Sequence, residues 1–188
     1  MNYYGGKELA AAFRTVRNNT IQVAQDIPEN KYDFKASPES RTVAQTLAHI
    51  ACGTNFAQSL HGERIDNLGK LNFPEIMQKN AADEAKLRSK SEILAALKAN
   101  GEKFAAFLET LPESVLQERV AMPPGADPAS KTRFEMLLSP KEHEMHHRGQ
   151  LMTIQRIVGV MPHLTRQRQE QMARHMAGNG QQTAPAAR

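Results

Sequence analysis

Apolar residues recur at steps of three and four along most of this 188-residue chain, with no convincing run of the two-residue alternation that marks a strand. A chain patterned in this way folds as helices packed by their apolar faces. Leu9, Phe13, Val16, Thr20, Val23 and Ile27 mark the first face, over about Lys7 to Ile27. Pro28 and the stretch ENKYDFKASP then break the period. A second helix is predicted to begin at Ser37 or Ser40, where Ser-Pro-Glu-Ser offers a capping hydroxyl, a proline suited to the first turn and an acid near the helix N-terminus. Its stripe is Val43, Leu47, Ile50, Thr54 and Ala57, fading near His61-Gly62.

Residues 62–88 are polar and irregular, punctuated by Gly62, Gly69 and Pro74, and read as loop with short helical turns. A third helix is predicted from Ser91 to Leu111 on Leu94, Leu97, Phe104, Leu108 and Leu111, with Gly101 in the stripe allowing close helix approach and Pro112 as the stop. Residues 112–131 carry Met122-Pro123-Pro124-Gly125 and Ala126-Asp127-Pro128, too many breakers for a regular element. A short helical piece, Arg133 to Leu138, precedes Ser139-Pro140-Lys141-Glu142, read as a capping box opening a fourth helix that runs to Val158 and ends at Gly159. The expected fold class is all-α: a four-helix bundle with connections long enough to permit crossovers.

The length suits one domain. We place it at residues 1–163, followed by a polar tail, 164–188, with at most a turn or two of helix around Gln167 to Met176 before the disorder expected of GNGQQTAPAAR. The N-terminus lacks a signal-peptide core and no stretch reaches the 18 or more apolar residues of a membrane span. Cys52 is the lone cysteine, which excludes an intrachain disulfide, so a cytoplasmic location is expected. Of the net charge of +4, residues 164–188 hold +3, leaving +1 for the body. Four arginines spread among glutamines with no aromatic residues make a thin footprint for nucleic acid, and no nucleic-acid or membrane partner is expected.

The chemistry concentrates in His143-Glu144-Met145-His146-His147-Arg148-Gly149-Gln150. At about 100° per residue, His143 and His147 stand about 40° apart and one turn along the helix, so both face one ion. His146 is a poorer partner for the pair, although His143 with His146 stays open. A third ligand is needed, and His49, mid-helix beside Thr46 and Ile50, is the natural candidate. Three imidazoles with an open position suit zinc, nickel or iron in a catalytic type of site. The same histidines would equally make a solvated face, a pH-sensitive interface or a set of core hydrogen bonds.

The segment IPENKYDFKASPESRTVAQTLAHIA, followed about ninety residues later by HEMHHRGQL and QRIVG, resembles the DinB/YfiT-like family over most of residues 7–160. The His-x-x-x-His-Arg-Gly-Gln pattern is its most specific part. The resemblance implies a four-helix bundle, often a homodimer, with a divalent transition metal held by one histidine of the second helix and two of the last, here His49, His143 and His147. It implies transfer or isomerisation reactions that use a low-molecular-weight thiol, although many relatives have no established reaction; a metal that activates water or such a thiol makes hydrolase or thiol S-transferase chemistry on a small-molecule substrate the expectation. The alternative is a non-catalytic, stress-associated bundle that binds a metal or ligand.

No catalytic acid or base is assigned. Glu142 is expected in the capping box, and Glu144 is rotated about 100° from His143. The run from His143 to His147 matches the HExxH spacing of zinc proteases, but a third ligand far upstream and Arg-Gly-Gln immediately after argue against that chemistry. Arg148 is expected to pair with a carboxylate or helix end. Cys52 is read as a buried core thiol, Met145 and Met152 as packing residues, and His61, His163 and His175 as solvated.

Overall fold

The computed structural model describes residues 4–181, with side chains described through residue 177. Its elements are α1 (Gly6–Asp26), α2 (Val43–Cys52), α3 (Asn55–Gly62), α4 (Phe73–Glu84), α5 (Lys90–Glu109), α6 (Glu113–Leu116), β1 (Arg119–Ala121), β2 (Ser130–Thr132), α7 (Arg133–Ile157) and α8 (His163–Gln181). The fold is all-α, with α1, α2, α5 and α7 as the bundle. α1 and α2, consecutive in the bundle's chain order, each pack on both α5 and α7. That placement requires the long crossovers foreseen from the connection lengths.

Two clusters fill the bundle. Val23, Ile27, Val43, Leu47, Ile50, Ile93, Leu97, Leu151 and Ile154 form one, and Leu9, Phe13, Phe104, Leu108, Leu116 and Leu137 the other. Between them Arg17, buried to 3% exposure, spends its guanidinium on three helices. Its Nε donates to Glu144 on α7 at 3.0 Å, Nη1 to the Leu97 carbonyl on α5 at 2.9 Å and Nη2 to the Ile50 carbonyl on α2 at 3.3 Å. Gly101 makes room for it: a Cβ there would stand 2.7 Å from Arg17 Cγ. The close approach expected at Gly101 is therefore made by a side chain from α1.

Several elements differ from the sequence expectation. α2 starts at Val43, not at Ser37 or Ser40, because Thr42 and Gln45 form the capping box while Ser37 and Ser40 close a turn on each other. The helix also breaks at Gly53-Thr54 and resumes as α3. Residues 73–84, expected as loop and short turns, form α4, capped by Asn72 with Pro74 in its first turn. The fourth helix starts at Arg133: Thr132 and Glu135 make the capping box, and Pro140 lies inside one continuous helix. Proline in a helix interior loses the bond to the carbonyl four residues back and crowds that carbonyl with its ring, and the helix continues through Pro140 despite both costs.

The crossover from α6 to α7 contains a two-stranded antiparallel pair, Val120 opposite Lys131, whose buried Val120 joins Leu60 and Leu68 in a small third core. α8 runs well beyond the expected turn or two, through Gln181; the disorder expected after it falls partly on residues 182–188, outside the described residues. No described helix is long and apolar enough to cross a membrane.

Candidate metal centre

α2 and α7 bring His49, His143 and His147 together. The Nε2 atoms of His49 and His147 lie 3.0 and 3.1 Å from Nε2 of His143, and one ligand atom from each residue falls within 4.8 Å of the others. The rings meet in T-shaped pairs, with centroids 4.6 to 5.0 Å apart. The i, i+4 pair therefore shares the face that its spacing predicts, and His49 supplies the third nitrogen.

The outer nitrogens show what the inner ones present. His49 Nδ1–H donates to Glu84 Oε1 at 2.7 Å, and His147 Nδ1–H donates to Gln150 Oε1 at 2.9 Å. A carboxylate or amide oxygen only accepts, so each proton sits on Nδ1 and each Nε2 turns a lone pair inward. Burial, followed by the charges of His147 and His49, pushes His143 down to about 4. His147 is lowered as well, chiefly by burial. Three imidazole nitrogens facing one point are a donor set for a cation. A tetrahedral ion with nitrogens at about 2.0–2.1 Å spaces them about 3.3 Å apart, close to the separations here.

Glu84 and Gln150 are the functional partners that sequence reasoning missed or left without a role. Glu84 ends α4, in the stretch expected as loop; Asn72-Phe73-Pro74-Glu75 is the start signal that would have found it. Gln150 also donates from Nε2 to His146 Nε2 at 3.2 Å, which leaves His146 exposed and outside the trio. Glu144 turns away into the buried pair with Arg17, so the HExxH likeness lacks its base at the centre. Arg148 donates to the Val16 carbonyl of α1 at 3.2 Å rather than to a carboxylate.

A cavity of about 500 Å³ adjoins His49 and His143, with Phe56, Ala57, Leu60, Met122 and Met136 among its walls. Cys52 also lines it; burial, then the charges of Glu84 and Asp83, raise that thiol to about 11 and keep it protonated, in line with a core thiol. Glu142, expected in a cap, is instead exposed on the rim of this cavity, because the helix begins two turns earlier. His61 and His163, expected in solvent, are 2% and 4% exposed, whereas His175 is exposed as expected. A larger cavity of about 890 Å³ lies between α3, α4 and α5, away from the histidines.

The sequence model of the DinB family matches residues 1–183. The chain belongs to the DinB family. Solved structures agree on the DinB fold. A DinB-like protein from Bacillus subtilis is 23% identical, with 81% of this chain and 92% of that chain covered and a TM-score of 0.59. A DinB-like protein from Bacillus cereus is 15% identical, covering 82% and 93%, with a TM-score of 0.63. An uncharacterized protein from Clostridium difficile is 16% identical, covering 84% and 99%, with a TM-score of 0.64. No curated protein matches this DinB chain.

Proposed function

We propose that this DinB protein holds one divalent transition metal on His49, His143 and His147 and uses it on a small molecule entering the adjoining cavity, as a hydrolase or a thiol S-transferase. The observation that carries the reading is the pair of outer hydrogen bonds, Glu84 to His49 and Gln150 to His147, which aim two lone pairs at the nitrogen of His143. Bound there, the ion would polarise an electrophile and lower the pKa of a water or thiol in its remaining position. Zinc, nickel and iron all suit three imidazoles, and elemental analysis of the purified protein distinguishes them.

The chain's own groups divide the remaining work. Among the acids lining the cavity, Glu84 is engaged by His49 and Glu135 by the Thr132 cap, whereas Glu142 has no hydrogen-bond partner among the described residues. Glu142 is thus placed to exchange a proton with an incoming nucleophile. Turnover of a chromogenic ester, and of a thiol with an electrophile, measured in metal-loaded and chelated protein, tests the reading. Loss of both activities on chelation is expected; equal rates with and without metal would overturn it. The second reading, a binding protein without turnover, is favoured by the loss of Glu144 to Arg17, and it is the outcome if metal binds and neither assay turns over.

A further inference from the structure

His61 is the buried titratable group for which the metal centre has no use. It lies in the last turn of α3, and its Nδ1 lies 3.3 Å from Arg133 Nη1. A guanidinium only donates, so Nδ1 accepts and the ring proton belongs on Nε2. Arg133 is buried too, and its Nε donates to Glu118 at 2.9 Å, which holds the guanidinium in that orientation. Burial, then the Arg133 charge, push His61 down to about 4, so the ring is neutral near pH 7.

The Nε2–H has no acceptor among the described residues, yet it is not sealed away: the fully enclosed polar atoms without partners are Gln155 Oε1 and His163 Nδ1. His61 lines the same cavity as His49 and His143, so the cavity is where that N–H is left open. A buried donor left without a partner costs stability until an acceptor arrives. The walls, Phe56, Ala57, Leu60, Met122 and Met136, suit an apolar body. Before a metal is bound, the charged lining residues Lys131, Glu84, Glu135 and Glu142 sum to a negative environment that disfavours an anion.

We propose that His61 Nε2–H is a substrate-binding donor and that the substrate carries an uncharged carbonyl, as an ester, amide or ketone, on an apolar body. This rests on the reading of the cavity as the substrate site. His61 receives the carbonyl oxygen and fixes its orientation, while Arg133 and Glu118 keep the imidazole in the donating tautomer.

The test needs no turnover. 4-Phenyl-2-butanone, its hydrocarbon counterpart isopentylbenzene and the anion 3-phenylpropanoate are titrated by NMR into full-length protein, chelated and zinc-loaded, with metal content measured on the same samples. The ketone should bind about tenfold more tightly than the hydrocarbon and shift the His61 Nε2 resonance. His61→Phe should erase that preference with metal content unchanged, and His61→Gln, which keeps an N–H, should restore part of it. Failure of zinc to bind would count against the metal centre and leave the chelated-protein comparison intact. Equal binding of ketone and hydrocarbon, or preference of the chelated protein for the anion, would overturn the proposal. So would nitrogen spectra of the wild-type protein placing the His61 proton on Nδ1, a measurement that stands even if a variant does not fold.

Discussion

Glu84 acts on the candidate metal centre through one nitrogen. Its bond to His49 Nδ1 sets the tautomer that frees Nε2, so Glu84→Ala should weaken zinc binding about 10- to 100-fold by calorimetry, with Glu84→Gln losing less because its amide oxygen still accepts. His49→Ala, His143→Ala and His147→Ala should each remove bound metal while the circular dichroism stays helical, and His146→Ala should retain it. Metal retained in His147→Ala but lost in His146→Ala would show the ligand assignment to be wrong. His61 governs a pH dependence of stability. Above its ordinary value of 6.5 the ring is neutral whether folded or unfolded. Between 6.5 and about 4 the unfolded chain takes up a proton that the folded chain refuses, so stability falls as pH falls; below about 4 that slope ends. A depression of this size corresponds to about 3 kcal/mol. Urea unfolding of metal-free protein across that window should show the slope, and His61→Phe should reduce it without abolishing it, because His143, lowered to about 4 as well, and His147 and His163, also lowered, act in the same direction.

At the scale of elements, the Arg17–Glu144 pair locks α7 to α1 and, through the Leu97 and Ile50 carbonyls, to α5 and α2. Ile50 follows His49 and Glu144 follows His143, so the pair anchors the backbone on which two of the three imidazoles stand. Removing one partner strands a buried charge: Arg17→Met should cost about 3–5 kcal/mol in urea unfolding, while the double variant with Glu144→Met should recover much of it. Gly101→Ala would gain about 1 kcal/mol in an open helix. Here the added methyl meets Arg17 Cγ at 2.7 Å, and the substitution should destabilise instead. α4 is the contrasting element, for none of its side chains is buried. Its amides should exchange with deuterium faster than those of α1 and α5, and equal protection would contradict this account of its packing.

For the whole molecule, the expected homodimer is tested by light scattering at micromolar concentration, and a monomer would count against it. α8 touches the bundle by its first turn, through buried His163, which bonds Asn19 at 3.1 Å, and through Arg166, which pairs with Asp26 at 2.8 Å. Residues 167–177 are exposed. Truncation after Gln167 should therefore leave the melting temperature nearly unchanged. Truncation after Pro162 should cost about 1–2 kcal/mol, a shift of a few degrees for a chain of this size, with the metal still bound. A larger loss on the first truncation would show that the outer part of α8 packs on a neighbouring copy.

The sequence by itself determined the all-α class and the faces of α1, α2 and α5, because periodic apolar residues report burial wherever a helix lies half in the core. It also determined that His143 and His147 share a face, since helix geometry alone sets that angle. Only the tertiary structure decided between Thr132 and Ser139 as the start of α7. Both segments carry start signals, and packing favoured continuing the helix through Pro140 over capping it there. Only the tertiary structure, likewise, brought Glu84 to His49, Arg17 to Glu144 and Arg133 to His61. These partners stand 35, 127 and 72 residues apart in the chain, and a polar residue buried against a distant partner leaves no period in the sequence to reveal it.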